Sequence, residues 1–370
     1  MYSVAPVDDD DARVTKVLYV DDGKMYYNHN DKAKATADRI SKQLADRFKV
    51  EVKPADPAEH YFLGANRVST SRNVAHISAT SYIRQMVDRY IPDGDTGPNV
   101  KFPAHWSYSP ADDSLVKAWE AAVAARTPGS KEDIKRYQEL FGSLLHVIKY
   151  RPEISTAMGK LGSCMTFPTE ELYNCMLRVL IYLARSPKMG TTFSAHVDEA
   201  KKLIAFADSD WGITRSTTGY CIMLAGACVM AGSRRQHCIS MSSTEAELIA
   251  LADCAIELLY VKAVVEFIGH EIDGAIEACT DNKGAYDLCH RFTSAQHSRH
   301  IDRKIFKMRE LRGAGVVQVR HVGTDDNPAD LFTKILSRQP FEKHRKYVLN
   351  LAGDTGVEFA TRVRMSAKKG

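Results

Sequence analysis

After Thr192 the chain changes its apolar period element by element, and that order constrains the fold most. Leu203 to Ala207 alternates like a strand, and a hairpin and another strand follow. Ser242 opens the longest helical pattern, with Leu248, Leu251, Ala252, Ala255, Leu258 and Leu259 as its buried stripe. Strand, helix, helix, strand and helix complete the series, which is an α/β order.

Acidic residues recur where these elements begin or end. Asp208 and Asp210 close the first strand and share parity with Ile204 and Phe206, so alternation does not choose between them. In the long helix, Thr244 and Glu247 fit a capping box, which accounts for Glu247. Glu245, in the first turn beside the apolar stripe, is the acid expected to point at the sheet. Ala275 to Thr280 is a strand with Asp281 at its C-terminal end, where ligands of α/β sheets gather. Val316 to Val322 is a strand, and Asp330 falls near N3 of a helix over Ala329–Leu336, with Asn327 as cap and Pro328 at N1. Each acid alone has an ordinary role as a cap or a solvated side chain. Four carboxylates in one cleft would repel unless cations neutralised them. Two divalent ions would do so and would also activate water against a phosphodiester. Hard oxygen ligands favour Mg²⁺, with Mn²⁺ as the alternative.

The first half has a different pattern. Val17 to Val20, Asp21-Asp22-Gly23 and Lys24 to Tyr27 read as a hairpin. Lys34 to Phe48 has helical spacing, with Ile40, Leu44 and Phe48 on one stripe. Short strands are expected at His60–Gly64 and Val68–Ile77, and a helix at Tyr82–Tyr90. Prolines and glycines punctuate Ile91 to Lys131, a long linker with one helix at Ala111–Ala125. Helices are expected at Ile134–Lys149 and Glu171–Ala184, with a break at Pro187–Thr192.

The bulk numbers permit this reading. The chain has 370 residues, 44% hydrophobic and 26% charged, as a soluble globular protein of two or three domains would. The net charge of +4 allows a nucleic-acid partner without requiring one. The 8 cysteines form no C-x-x-C pair and mostly lie among apolar residues, so reduced core thiols are expected and a zinc site is not. The acidic N-terminus lacks the pattern of a signal peptide, and Tyr220 to Ala231 is too short to span a bilayer. The expectation is an intracellular protein, cytoplasmic or nuclear, with no membrane partner.

These residues resemble a family. Asp208-Ser209-Asp210-Trp211, Arg215 to Tyr220, Ser233-Arg234-Arg235-Gln236, Ser242 to Glu247, Thr280-Asp281-Asn282, His297 to Asp302 and Asn327-Pro328-Ala329-Asp330 stand in the order found in copia-type retrotransposon Pol polyproteins. The segment resembles their ribonuclease H region. That resemblance implies a ribonuclease H-like mixed sheet with flanking helices, and cleavage of the RNA strand of RNA–DNA hybrids. It also implies Asp208, Glu245, Asp281 and Asp330 as metal ligands, and it selects Asp208 over Asp210. In the first half, Tyr19-Val20-Asp21-Asp22 is similar to the Y-x-D-D hairpin of the reverse transcriptase palm, which makes Asp21 and Asp22 candidate polymerase acids. Tyr137 to Pro152 resembles thumb and connection helices.

The organisation so implied is a truncated α+β palm with the start of the thumb over residues 1–90, then a linker over 91–131. A helical thumb and connection follows over 132–190, a ribonuclease H-like domain over 200–340, and a disordered tail over 351–370. Polymerase chemistry needs a further aspartate on an earlier palm strand, and the chain starts after it, so polymerase activity is not expected of this chain alone. Arg234, Arg235, Arg299 and His300 are the expected nucleic-acid contacts, aimed at backbone rather than base edges. The partners expected are the hybrid and the remaining parts of the polyprotein. A nucleic-acid-binding remnant without chemistry is the competing reading.

Overall fold

The computed structural model describes residues 14–19, 22–27, 30–49, 51–52, 59–71, 74–92, 102–194, 202–212, 215–272, 274–290 and 299–351. They fall into two compact units, Met1–Asp56 with Ala263–Glu271 and Pro57–Lys262 with Ile272–Gly370.

In the first unit, β1 (Val14–Tyr19) and β2 (Asp22–Tyr27) pair antiparallel, with Tyr19 opposite Asp22. Helix α1 (Asp31–Phe48) follows. Asn30 caps it, its side-chain oxygen accepting from Ala33 N at 2.6 Å. The face it buries carries Ala33 and Ala37, whereas Phe48, expected on the buried stripe, is exposed.

The second unit holds two sheets. Strands β3 (Glu59–Phe62), β4 (Ala65–Ser71) and β5 (Val74–Ser78) form an antiparallel meander. The single strand expected at 68–77 is thus parts of two. Helices α2 (Thr80–Tyr90), α3 (Asp113–Ala125), α4 (Lys131–Val147), α5 (Ser155–Gly162) and α6 (Glu170–Ala184) come next. The pattern break at 187–192 runs into β6 (Gly190–Ser194), which returns to pair antiparallel with β5. Between α4 and α5, Arg151 and Glu153 form a fully buried pair at 2.6 Å. Tyr182 OH donates to the same Glu153 oxygen at 3.0 Å, so this bend is fixed by charge inside an apolar core.

The second sheet carries the site. It comprises β7 (Ile204–Asp210), β8 (Thr217–Leu224), β9 (Ala227–Arg235), β10 (Ile276–Thr280) and β11 (Val317–His321), in the order β11-β10-β7-β8-β9. β7, β8 and β9 are antiparallel, and β10 runs parallel to both β7 and β11. Helices α7 (Ser243–Phe267), α8 (Lys283–His290), α9 (Arg299–Gly313) and α10 (Arg338–Leu349) flank it. This mixed sheet, with a three-strand meander and two parallel strands reached through helices, is the ribonuclease H-like arrangement.

Its two faces enter different cores. Leu203, Ala205, Ala207, Ile222 and Ala278 pack with Leu248, Leu251, Ala255 and Leu258 of α7 and with Ile305 and Met308 of α9. Phe206, Cys221, Met223 and Cys279 face the other way. They join Phe332, Tyr347 and Val348, and that cluster is continuous with Leu144, Ile154, Met158 and Leu180 of the helical segment. All eight cysteines are free, and only Cys238 is not buried. Among the described residues no helix is long and apolar enough to cross a membrane.

Candidate metal centre

Asp208 lies near the end of β7, directly opposite Gly219 of β8, and is buried. A Cβ at Gly219 would stand 2.5 Å from Thr333 Cγ2 and 2.9 Å from the Phe332 carbonyl carbon. The missing side chain is therefore what lets the short 3-10 helix Pro328–Phe332 lie against the sheet. Thr333, just beyond that helix, donates its hydroxyl to Asp208 Oδ2.

Glu247 reaches the same place from α7. Its Oε1 accepts from Ser209 N at 3.2 Å, next to Asp208 in the chain. Its Oε2 is buried and has no hydrogen-bond partner among the described residues. Asp281 follows β10 and is oriented by Asn327, whose amide donates to Ala207 O at 3.0 Å and to Asp281 Oδ1 at 3.4 Å. Asp208, Glu247 and Asp281 each present a carboxylate oxygen within 4.8 Å of the others.

Glu245, expected in this group, lies outside it. Ser242 is the cap of α7: its carbonyl accepts from Ala246 N, and its hydroxyl accepts from Glu245 N at 3.2 Å. Glu245 reaches back to Met241 N at 2.9 Å. The capping interaction thus belongs to Ser242 and Glu245, not to Thr244 and Glu247. Two residues on a helix are separated by about 200°, so the glutamate two positions further faces the sheet end. Glu247, Leu251, Ala255 and Leu258 fall on one line of the stripe, but the line from Glu245 also passes the buried Ile249 and Ala252 before the exposed Ile256, so apolar spacing alone does not choose between the two glutamates.

Asp330 is buried nearby, on a 3-10 helix rather than the expected α-helix over 329–336, with Asn327 capping as expected. It stands outside the three-acid group and is paired instead with Lys334, whose Nζ lies 2.6 Å from Asp330 Oδ1 and 3.2 Å from Asp208 Oδ2. No motif pointed to this lysine.

The electrostatics follow from crowding. Burial, opposed by Lys334 but reinforced by Asp330, pushes the Asp208 carboxyl up to about 7. Burial, with Asp208 and Asp281 beside it, raises Glu247 to about 9. Burial disfavours the Lys334 ammonium, yet the Asp208 and Asp330 carboxylates hold its affinity for the proton above the ordinary lysine value. Buried carboxylates that repel one another, one with an unpartnered oxygen, are a donor set that a hard divalent cation fits.

The expected nucleic-acid residues separate. Arg234 pairs with Glu257 at 2.9 Å and lies over the Tyr220 ring. Arg235 lies over Trp119. Both line a cleft of about 380 Å³ together with Lys160, Trp211 and Thr333, so the cleft adjoins the hydroxyl that holds Asp208. Arg299 and His300 belong to the first turn of α9, but their side chains lie outside the described residues. Asp21 is outside them altogether, and of Asp22 only the backbone, in β2, is described.

Comparison with known proteins places the chain. No family model matches it. It is 29% identical over 357 residues to the retrovirus-related Pol polyprotein from transposon RE1 of Arabidopsis thaliana, covering 93% of this chain and 22% of that protein. Its identity to the transposon RE2 polyprotein of the same plant is 28% over 342 residues, covering 90% of this chain and 21% of that protein. The crystal structure of RNase H1 from the archaeon Halobacterium salinarum aligns with a TM-score of 0.27 at 18% identity, over 36% of this chain and 94% of that one. The chain spans about a fifth of the length of the curated relatives it matches. By sequence its homologues over about 90% of its length are retrovirus-related Pol polyproteins of transposons, at 26–29% identity.

Proposed function

We propose that this chain is the ribonuclease H part of a copia-type polyprotein and hydrolyses the RNA strand of RNA–DNA hybrids with Mg²⁺ or Mn²⁺. The observation that carries the reading is the buried, unpartnered Glu247 Oε2 within the three-acid group. Asp208, Glu247 and Asp281 would hold the cation. A divalent cation bound there supplies an acidified water and charge stabilisation for a phosphodiester. The chain's own groups do the rest. Asn327 fixes Asp281, Ser209 N fixes Glu247, and Thr333 fixes Asp208. Arg235 and Lys160 line the neighbouring cleft as contacts for a phosphate backbone, which would make cutting independent of base sequence. Polymerase activity, to which Asp21 and Asp22 would contribute, is proposed only for a longer polyprotein.

The test is a labelled RNA–DNA hybrid incubated with the chain in Mg²⁺ or in EDTA. Wild type and Glu245→Gln should shorten the RNA strand in Mg²⁺ alone. Asp208→Asn and Glu247→Gln should lose at least about 100-fold in rate while still binding hybrid, as removal of an electrostatic group at a reacting centre does. Full activity of Glu247→Gln would sink the assignment. Salt-sensitive binding with no cutting by wild type would favour the second reading, a remnant that only grips nucleic acid. The Lys334 ion pair within the acids is the observation on its side.

A further inference from the structure

Lys334 stands one turn beyond Asp330, its N–H donating to Asp330 O at 3.0 Å. From there its ammonium bridges Asp330 Oδ1 and Asp208 Oδ2. Asp208 Oδ2 also accepts from Thr333. A carboxylate oxygen offers two acceptor positions, so both positions on Oδ2 are filled. An ion held between Asp208 and Asp330 would need Lys334 and Thr333 to release that oxygen. It would also need the ammonium to withdraw, because like charges repel. Within the three-acid group Lys334 pairs with Asp208 alone among the described residues. The three acids lie within 4.8 Å of one another, and one buried oxygen of Glu247 has no partner among the described residues.

We infer that Lys334 is a built-in counter-cation, which takes the position between Asp208 and Asp330 and limits the site to one divalent ion on Asp208, Glu247 and Asp281. This departs from the two-ion site that four acids suggest, and it rests on the metal-dependent reading above. Lys334 is a positioning residue here: it neutralises Asp330, which is otherwise a buried charge, and holds the 3-10 helix segment against β7. Its side chain is 39% exposed, so the ammonium is open to solvent on one side, where a substrate phosphate oxygen can also meet it.

Titration of the full chain with Mn²⁺, followed by the electron paramagnetic resonance of the free ion, tests this without reference to activity. Wild type and Lys334→Arg should bind one Mn²⁺ per chain. Lys334→Met, which keeps the apolar stem and removes the charge, should bind two. The double variant Lys334→Met/Asp330→Asn should return to one. Lys334→Gln serves as a second neutral variant if the methionine protein does not fold. Two ions on the wild type, or one on both neutral variants, would overturn the inference. Two ions on the wild type that fall to none in Glu247→Gln would leave the nuclease reading standing. A wild type that binds no Mn²⁺ would remove both.

Discussion

Glu247 and Asp208 pay for their position in protonation. Both carboxyls keep their protons to higher pH in the folded chain, up to about 9 and about 7, than in an unfolded chain, where carboxyls ionise near pH 4. Between about pH 4 and pH 9 the folded state therefore binds more protons than the unfolded state, and stability falls as pH rises through that window. Below it both states are protonated and the penalty is absent. A divalent cation stabilises the ionised forms and should remove the loss. Thermal melting in EDTA is expected to give a lower Tm at pH 8 than at pH 5, and added Mg²⁺ should raise Tm more at pH 8 than at pH 5. An equal Mg²⁺ shift at both values would contradict the placement of these two acids in a cation site. At this scale three of the four acids named from sequence stand at or beside the site: Asp208 and Asp281 in the group, Asp330 next to it. The fourth, Glu245, stands outside the group: two S/T-x-x-E patterns overlap, Ser242 with Glu245 and Thr244 with Glu247, and only the helix start decides between them. The Asp330–Lys334 pair has the i,i+4 spacing of a helical ion pair and was readable on that ground, whereas the contact of Lys334 with Asp208, distant in sequence, was not.

At the scale of elements, the site depends on how the 3-10 helix Pro328–Phe332 is anchored. Gly219 allows it to approach β8, and Thr156 of α5 donates to the Leu331 carbonyl at 2.7 Å in a buried contact. Leu331 lies between Asp330 and Thr333, so this one hydroxyl ties the helical segment to the acids. Thr156→Val keeps the shape and leaves the carbonyl without its donor, at a cost of about 1–3 kcal/mol. Urea unfolding should report that loss, and Mn²⁺ affinity should weaken with it. Unchanged affinity in the destabilised variant would show that the anchor does not reach the site. The strand and helix order was largely visible in periodicity, including α2, α3, α4, α6 and the site strands. Helix α5 was not, because its run Ser155–Gly162 is only eight residues long and contains two glycines, which offset Ala157, Met158, Lys160 and Leu161. Its helical state is set by packing, with Ala157, Met158 and Leu161 buried in the larger core.

For the molecule as a whole, the sheet that carries the acids does not own both its cores. Phe206, Cys221, Met223 and Cys279 are covered by the helical segment and by α10. Further bonds cross between the two: Ser194 N to Ala225 O and Asn350 Nδ2 to Thr192 O, each at 2.8 Å. A fragment limited to residues 200–340, the span that motifs alone suggest as a domain, would expose that face. Each large apolar side chain uncovered costs roughly 1.5–3 kcal/mol, against a total stability of about 5–15 kcal/mol for a typical domain. Such a fragment should show helical far-ultraviolet signal with little near-ultraviolet signal, and it should bind an apolar dye. A fragment over 57–351, which keeps β5 beside β6 and the buried Ile83 and Met86 of α2, should give a sharp, cooperative transition. Cooperative melting of 200–340 would refute the shared core. Sequence could not show this, because apolar residues on a strand declare that they are buried without naming what buries them.

Gly219 has a consequence for how copies of such a gene decay. Its hydrogen atom is all that separates β8 from Thr333 and Phe332, and Asp208 lies directly across the strand pair. A single-base change that adds one carbon there would lever the 3-10 helix segment away and take with it Thr333, Asp330 and Lys334. The reading frame and all four carboxylates would survive. A lineage judged by its acids alone would be scored as intact, so under the proposed nuclease reading the codon for this glycine marks an inactive copy that the codons for the acids would miss.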